Sequence, residues 1–434
     1  MSEEHDMAKT YLEGHLAPVP DEIEAFDLPV TGALPPELTG RYFRNGPNPL
    51  PGHDPGHWFA GDGMIHGIRL RNGRAEWYRN RWVKTTRLTE GARLVGDEGA
   101  LDLAAVPANT NVIRHADRIF ALVEAGLPYE MSPELDTLGP VDFGGRLTTA
   151  MTAHPKEDPV TGDLFFFGYG FFAPYLTYHR LSKDGALVES REIPVPGPTM
   201  MHDFAITENH VVWLDLPVVF DLDLAFNGQG LPYRWDDGYG ARIGYMRKSG
   251  GPVTWVDVDP CYVFHVGNAR ENAAGDIVID AVRYSPDTFT GMWGHISGTA
   301  NPAHETVGSR LHRWTISGTT AKEEELDDRR VEFPTINDAH TGRTSRYVYA
   351  VTGREIVKYD LTSGAVRARG ADGPGEAVFV PRGDTEDDGW LVSIVDTDGG
   401  SDLLVLDAHD LGHVASVHLP RRVPRGFHGH WLAD

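Results

Sequence analysis

Four histidines, His154, His202, His265 and His428, stand in short segments of unusual composition. The segments are Ala153-His-Pro-Lys156, Met201-His-Asp-Phe204, Val263-Phe-His-Val-Gly-Asn-Ala269 and Gly426-Phe-His-Gly-His-Trp431. Neutral imidazole suits Zn, Cu, Fe and Ni. A structural zinc site usually includes cysteine and closes a short loop, and neither feature is present. Four imidazoles with no thiolate and no ligating carboxylate leave two positions of an octahedron open. That suits a redox metal that takes dioxygen and substrate side by side. Spacing alone does not select these four from the 20 histidines of the chain, and His66, in Gly61-Asp-Gly-Met-Ile-His66, is equally distinctive.

Three glutamates sit in strand-like, mostly apolar surroundings: Glu124 in Ala121-Leu-Val-Glu-Ala-Gly126, Glu332 in Val331-Glu-Phe-Pro334, and Glu376 in Pro374-Gly-Glu-Ala-Val-Phe379. A ligating histidine usually donates its second N–H to a carboxylate or carbonyl. A buried glutamate needs such a partner. The same three positions also fit strand ends in water.

Only a fold could gather residues so far apart. Short strands and turns dominate the chain. Asn72-Gly73 between Gly67–Arg71 and Arg74–Arg79 is a two-residue hairpin signal. Similar turns recur at Lys183-Asp-Gly185, Ser317-Gly318, Ser363-Gly364 and Ala408–Gly412. About 25 candidate strands follow at the spacing of an all-β fold, and no stretch longer than about 12 residues has helical period. With no Trp-Asp repeat, a WD40 array is excluded. A propeller of about six or seven four-stranded blades would manage so many sheet edges. It would also supply an axis at which distant inner strands converge. A pair of β-sandwiches is the rival, but the linker it needs is not visible. Residues 1–40, rich in proline and acid, read as an arm with little regular structure packed on a body formed by residues 41–434.

The 434 residues carry a formal charge of −24 and are 41% hydrophobic. That composition supports a large core and makes nucleic acid an unlikely ligand, because phosphate binding needs a basic face. Cys261 is the only cysteine, so no intrachain disulfide forms. With no signal-peptide pattern and no apolar run of about 18 residues, the expected location is cytoplasmic, with membrane association through a local apolar patch.

At these residues the chain resembles the carotenoid cleavage oxygenase family, which includes carotenoid and apocarotenoid oxygenases, stilbene-cleaving oxygenases and a retinoid isomerase. The resemblance runs from Phe43-Arg-Asn-Gly-Pro-Asn48 to Phe427-His-Gly-His-Trp431. It includes Phe59-Ala-Gly-Asp-Gly-Met-Ile-His66, Gly375-Glu-Ala-Val-Phe-Val380 and Asp387-Asp-Gly389. It implies a seven-bladed β-propeller with a metal on the central axis and loops capping one face. It further implies Fe(2+) held by His154, His202, His265 and His428, with dioxygen as co-substrate and no organic cofactor. Glu124 would orient His202, Glu332 would orient His265, and Glu376 would orient His428. Thr110 matches a family position beside the open coordination sites. The implied reaction cleaves a C=C bond to two carbonyl products.

The stilbene-cleaving branch places a Lys just before the first of these glutamates and a Tyr upstream. Here Val123 precedes Glu124, and no Tyr lies between Arg79 and Pro128. A phenol would lose its anchors, so the expected substrate is an apolar carotenoid or apocarotenoid. A stilbene or 4-hydroxyphenyl alkene is the alternative, since Phe59 resembles a residue of that branch. Isomerase or hydrolase chemistry at the same metal and a non-catalytic scaffold are the remaining readings. Phe59, Tyr129, Phe171, Phe172, Phe289 and Trp293 are the expected substrate contacts, each equally suited to core packing. Phe220, Leu222, Leu224, Phe226 and Leu231 are the candidate membrane patch, or a half-buried loop between blades. No protein partner is expected.

Overall fold

The computed structural model describes residues 9–227, 231–296 and 308–434. Seven sheets of four or five antiparallel strands form the blades of a propeller. The first blade contains Gly40–Pro47, Gly63–Arg71 and Arg74–Trp82. The others follow in chain order over residues 111–140, 156–192, 205–257, 262–325, 332–370 and 378–418. Within each of these six, consecutive strands meander outward, so the first is innermost. Inner strands of neighbouring blades touch around the axis. The sandwich alternative is thereby excluded.

The expected hairpins form. Gly63–Arg71 turns into Arg74–Trp82 through Asn72 and Gly73, both at positive φ (50° and 73°). That backbone suits the right-handed twist of the two strands. The strands number 32 among the described residues. The excess over expectation comes from pieces of two to four residues, such as Lys156–Glu157 and Ala205–Ile206, too short to leave a periodic signal. The longest described helix, Pro286–Ile296, has 11 residues. Among the described residues no helix is long and apolar enough to cross a membrane.

The core lies between blades. Ile113, Phe120 and Leu122 of the second blade pack on Leu164, Phe166 and Leu181 of the third. Phe165, Phe167 and Tyr178 of the third pack on Phe204, Val211 and Trp213 of the fourth. Alternation along each strand therefore buries both faces, because every blade is sandwiched.

Two strands close the ring. Gly429–Ala433, immediately after His428, pairs with Gly40–Pro47 and becomes the inner strand of the first blade. The arm is more regular than its composition suggests. Glu24–Phe26 adds to the outer edge of the first blade and Val30–Gly32 to that of the seventh. An outer edge strand presents unpaired N–H and C=O groups, and pairing with them imposes extended structure whatever the local propensity. Asn48 fixes the arm further, accepting from Val19 N at 2.7 Å and donating to Val19 O at 2.9 Å.

Candidate metal centre

Seven residues stand at the same end of the seven inner strands. Thr110, His154, His202, Glu376 and His428 come just before their strands, Glu332 opens Glu332–Thr335, and His265 lies within Tyr262–Glu271. Each blade delivers one side chain. His265 is brought into line by a break in register between Val263 and Val266, a bulge of the kind that re-aims a side chain. A second irregularity follows Glu332, where Phe333 adopts φ 52°. The Phe333 N–H then donates to Glu332 Oε2 at 2.7 Å, and its ring stacks on His265 at 5.0 Å.

The ligand atoms of His154, His202 and His265 lie within 4.8 Å of one another. The Nε2 atoms of His154 and His202 are 2.9 Å apart. The His428 ring centre is 4.6 Å from that of His154 and 4.7 Å from that of His265. All four expected histidines thus meet at the axis.

Each expected glutamate stands against its expected histidine. His265 Nδ1 is 2.5 Å from Glu332 Oε2, and His428 Nδ1 is 3.0 Å from Glu376 Oε1. His202 Nδ1 is 2.7 Å from Glu124 Oε1, close enough for charge pairing though off the line of a well-formed hydrogen bond. Among the described residues no carboxylate pairs with His154. A carboxylate accepting from Nδ1–H fixes the tautomer and leaves the Nε2 lone pair facing inward. The outer oxygens are also held. Glu124 Oε2 accepts from Tyr169 Oη at 2.7 Å, Glu332 Oε1 from Tyr284 Oη at 2.7 Å, and Glu376 Oε2 from Gly429 N at 2.8 Å.

Burial and the three neighbouring imidazoles hold His154 well below the ordinary histidine range. Burial also lowers His265, with Glu332 opposing. At His202 burial works against the charge, but Glu124 and Asp203 outweigh it and the group is raised. Glu332 and Glu376 are raised by burial but lowered more by their histidines and by the N–H and O–H donors around them. Three largely buried carboxylates therefore surround the imidazoles, two of which, His154 and His265, are pushed toward the neutral form. Uncompensated buried charge is costly. A divalent cation among the four Nε2 atoms would offset it, so the residues fit a resident metal.

A cavity of about 360 Å³ opens over the cluster. Its wall is mostly apolar, with Phe59, Val106, Val123, Met200, Phe264 and Phe427. Asn109 donates from Nδ2 to the carbonyls of Phe59 and Gly61 at 2.8 and 2.7 Å, and accepts from the Thr110 hydroxyl at 3.0 Å. Thr110 and Asn109 both line the cavity.

The expected substrate contacts fare unevenly. Phe59 lines the cavity; Tyr129, Phe171, Phe172, Phe289 and Trp293 are not in its described wall. Tyr129 is core, with its hydroxyl donating to Ala104 O at 2.6 Å. Phe289 is buried behind the wall between Trp293 and Phe264, with ring centres 5.4 and 6.1 Å away. Trp293 backs Phe59 at 6.0 Å. Phe171 stacks on Phe220 at 5.0 Å, and Phe172 is 65% exposed. The physical reason is common to all five: blade packing and surface loops consume aromatics as readily as a cavity does. Tyr169, Tyr284, Phe264, Phe333 and Arg87 line the cavity and were not anticipated. Only the Glu-Phe-Pro motif carried any signal for one of them. Nearby, the helix Leu222–Asn227 leaves Leu222 and Phe226 56% and 81% exposed, while Leu231 turns to the cavity.

Residues 16–433 match the family model described as RPE65, retinal pigment epithelial membrane protein. A carotenoid cleavage oxygenase of Mycobacterium tuberculosis is 40% identical over 97% of this chain and 97% of its own. The chain belongs to the carotenoid cleavage oxygenase family. An Arabidopsis thaliana carotenoid 9,10(9′,10′)-cleavage dioxygenase is 36% identical over 98% of this chain and 90% of its own length. Among solved structures, the Pseudomonas brassicacearum lignostilbene dioxygenase superposes with a TM-score of 0.86 at 29% identity, covering 98% of each chain. A cobalt-substituted Synechocystis apocarotenoid oxygenase gives 0.82 at 27%, covering 96% of this chain and 97% of its own. Family and neighbours together make this chain an alkene-cleaving oxygenase of the dioxygenase class.

Proposed function

We propose that the protein is an Fe(2+)-dependent dioxygenase that cleaves one C=C bond of a carotenoid or apocarotenoid to two carbonyl products. The supporting observation is the convergence of four imidazoles, three of them backed by carboxylates, beneath an apolar cavity. Ferrous iron bound among His154, His202, His265 and His428 would supply the activation of dioxygen, and both oxygen atoms would enter the products. The chain's own residues orient and exclude. Glu124, Glu332 and Glu376 hold three rings with Nε2 inward. Phe59, Phe264 and Phe427 present flat apolar surface to a conjugated chain and keep water away. Thr110 is small and its hydroxyl is engaged by Asn109, which leaves room above the histidines. No acid or base is required beside the reacting bond.

Val123 in the cavity wall, where a lysine would grip a phenol, favours a polyene. The TM-score of the lignostilbene dioxygenase and the presence of Phe59 in the wall favour the second reading, a stilbene. An apolar substrate is delivered from a membrane or carrier. The exposed Leu222 and Phe226 beside the cavity residue Leu231 support contact with a lipid surface there.

Aerobic incubation of iron-loaded protein with an apocarotenal, with resveratrol and with isoeugenol tests the proposal. Bleaching of the polyene band with release of two shorter aldehydes is expected. Undiminished colour with about one iron per chain would refute the carotenoid reading, and a benzaldehyde from resveratrol alone would establish the stilbene reading. Turnover without oxygen would overturn the oxygenase chemistry.

A further inference from the structure

Arg87 is out of character in its surroundings. It belongs to the wall of the cavity, a mostly apolar wall that also includes Ala60, Leu94, Ala105 and Val106. It rises from the short helix Thr86–Glu90, anchored by Thr85 and Gly91: Thr85 Oγ1 accepts from Leu88 N at 3.3 Å, and Gly91 takes φ 68°. The guanidinium is tied on one side only. Nη2 donates to Ala60 O at 2.8 Å, and Nε lies 3.4 Å from Asp62 Oδ1. Nη1 has no hydrogen-bond partner among the described residues. The side chain is 29% exposed, and that of Asp62 is 7% exposed.

A guanidinium keeps its charge and presents five N–H donors. A tie to a backbone carbonyl and a long contact to Asp62 would be met as well at the protein surface. Nη1 is open to solvent while the cavity is free, but an apolar ligand that fills the cavity would strip that solvent and leave the donor unpaired unless the ligand itself accepts from it. The position of Arg87 along the cavity gives the reason. Arg87 and Val106 come from the connection between the first and second blades, and Ala60 from a loop within the first. Leu231, Tyr233 and Met292 come from the fourth and fifth, across the axis. A rod-shaped ligand lying over the histidines would thus have one end at Arg87. Its middle would cross the metal centre.

We propose that Arg87 is a specificity-determining residue that holds an acceptor oxygen, a carboxylate or carbonyl, at the end of the conjugated substrate, and so sets which double bond lies over the metal. This rests on the carotenoid reading above. Asp62 offsets part of the Arg87 charge, so a neutral carbonyl is held as well as an anion, while a hydrocarbon ring at that end leaves the Nη1 donors unpaired.

The test compares three polyenes of equal conjugation, ending in a carboxylate, an aldehyde and a hydrocarbon ring, against wild type, Arg87→Met and Arg87→Lys. Wild type is expected to prefer the two oxygen-ended polyenes. In Arg87→Met that preference, taken as the ratio of kcat/KM values, falls about 10–100-fold, mainly through KM. Products of cleavage at more than one bond appear, and Arg87→Lys is intermediate. Binding is read separately, without oxygen, from quenching of tryptophan fluorescence, since Trp58 lines the same cavity. An unchanged ratio in both measurements, or an equal loss for all three polyenes, overturns the role of Arg87. If wild type cleaves no polyene yet the affinity ratio still depends on Arg87, the carotenoid chemistry fails and the recognition stands.

Discussion

At the metal centre a carboxylate behind an imidazole does two things: it selects the tautomer, and it fixes the ring's rotation. Glu332→Gln keeps the shape but offers a donor as readily as an acceptor. It is expected to weaken metal retention about 10–100-fold, measured by competition with a chromophoric chelator, with activity falling in parallel. Cys261 is a group governed by burial instead. It is fully buried, and burial pushes its thiol up to about 12. A thiol-specific reagent should leave the folded protein unmodified and react with one equivalent per chain after denaturation. The histidines were legible in the chain only through their flanking motifs. Spacing could not select them, because an axis collects one residue from each of seven remote strands. Tyr169 and Tyr284 were illegible: a tyrosine in a strand looks the same whether it fills core or holds a glutamate oxygen.

Among elements, hairpins were the most readable, since Asn-Gly and Ser-Gly turns are dictated by backbone conformation alone. The strands of the arm were not, since their structure is borrowed from the edges they cover. A polar tie joins the fourth and fifth blades. Glu271 accepts from Thr207 Oγ1 at 2.6 Å and from Asn209 N and Nδ2 at 3.0 Å each, with His210 Nδ1 at 2.9 Å. Burial would raise this carboxyl, but these partners together lower it to about 2. A depressed folded value means the contribution is complete above the unfolded value and is lost as pH falls from about 4.5 toward 2. Glu271→Gln should therefore cost about 1–3 kcal/mol at pH 7. In denaturant titrations the gap from wild type should close as the medium is acidified through that window. A gap independent of pH would assign the cost to packing instead.

At the scale of the whole molecule, closure is the critical feature. Removing residues 429–434 deletes the inner strand of the first blade and leaves Gly40–Pro47 unpaired on its axial side. The expected result is loss of a single cooperative melting transition and association through the opened edge, read by calorimetry and light scattering. By contrast, Arg421→Ala, which removes the 2.6 Å ion pair to Asp21, should lower stability by under about 1 kcal/mol, because Asp21 is exposed and surface pairs contribute little. The all-β class was readable from turn spacing. Strand number alone left six or seven blades open, because strands of two or three residues carry no period, and the family resemblance implied the seven that are present.

Chain order bears on how the centre is made. Of the seven axial residues, His428 is synthesised last, one position ahead of the strand that locks the ring. An ion arriving early would meet a crescent of partial ligands rather than a cage. On the proposed reading, loading would belong to the same event as circularisation of the wheel, and a nascent fragment ending short of that histidine would lack one of the four imidazoles that could hold a cation.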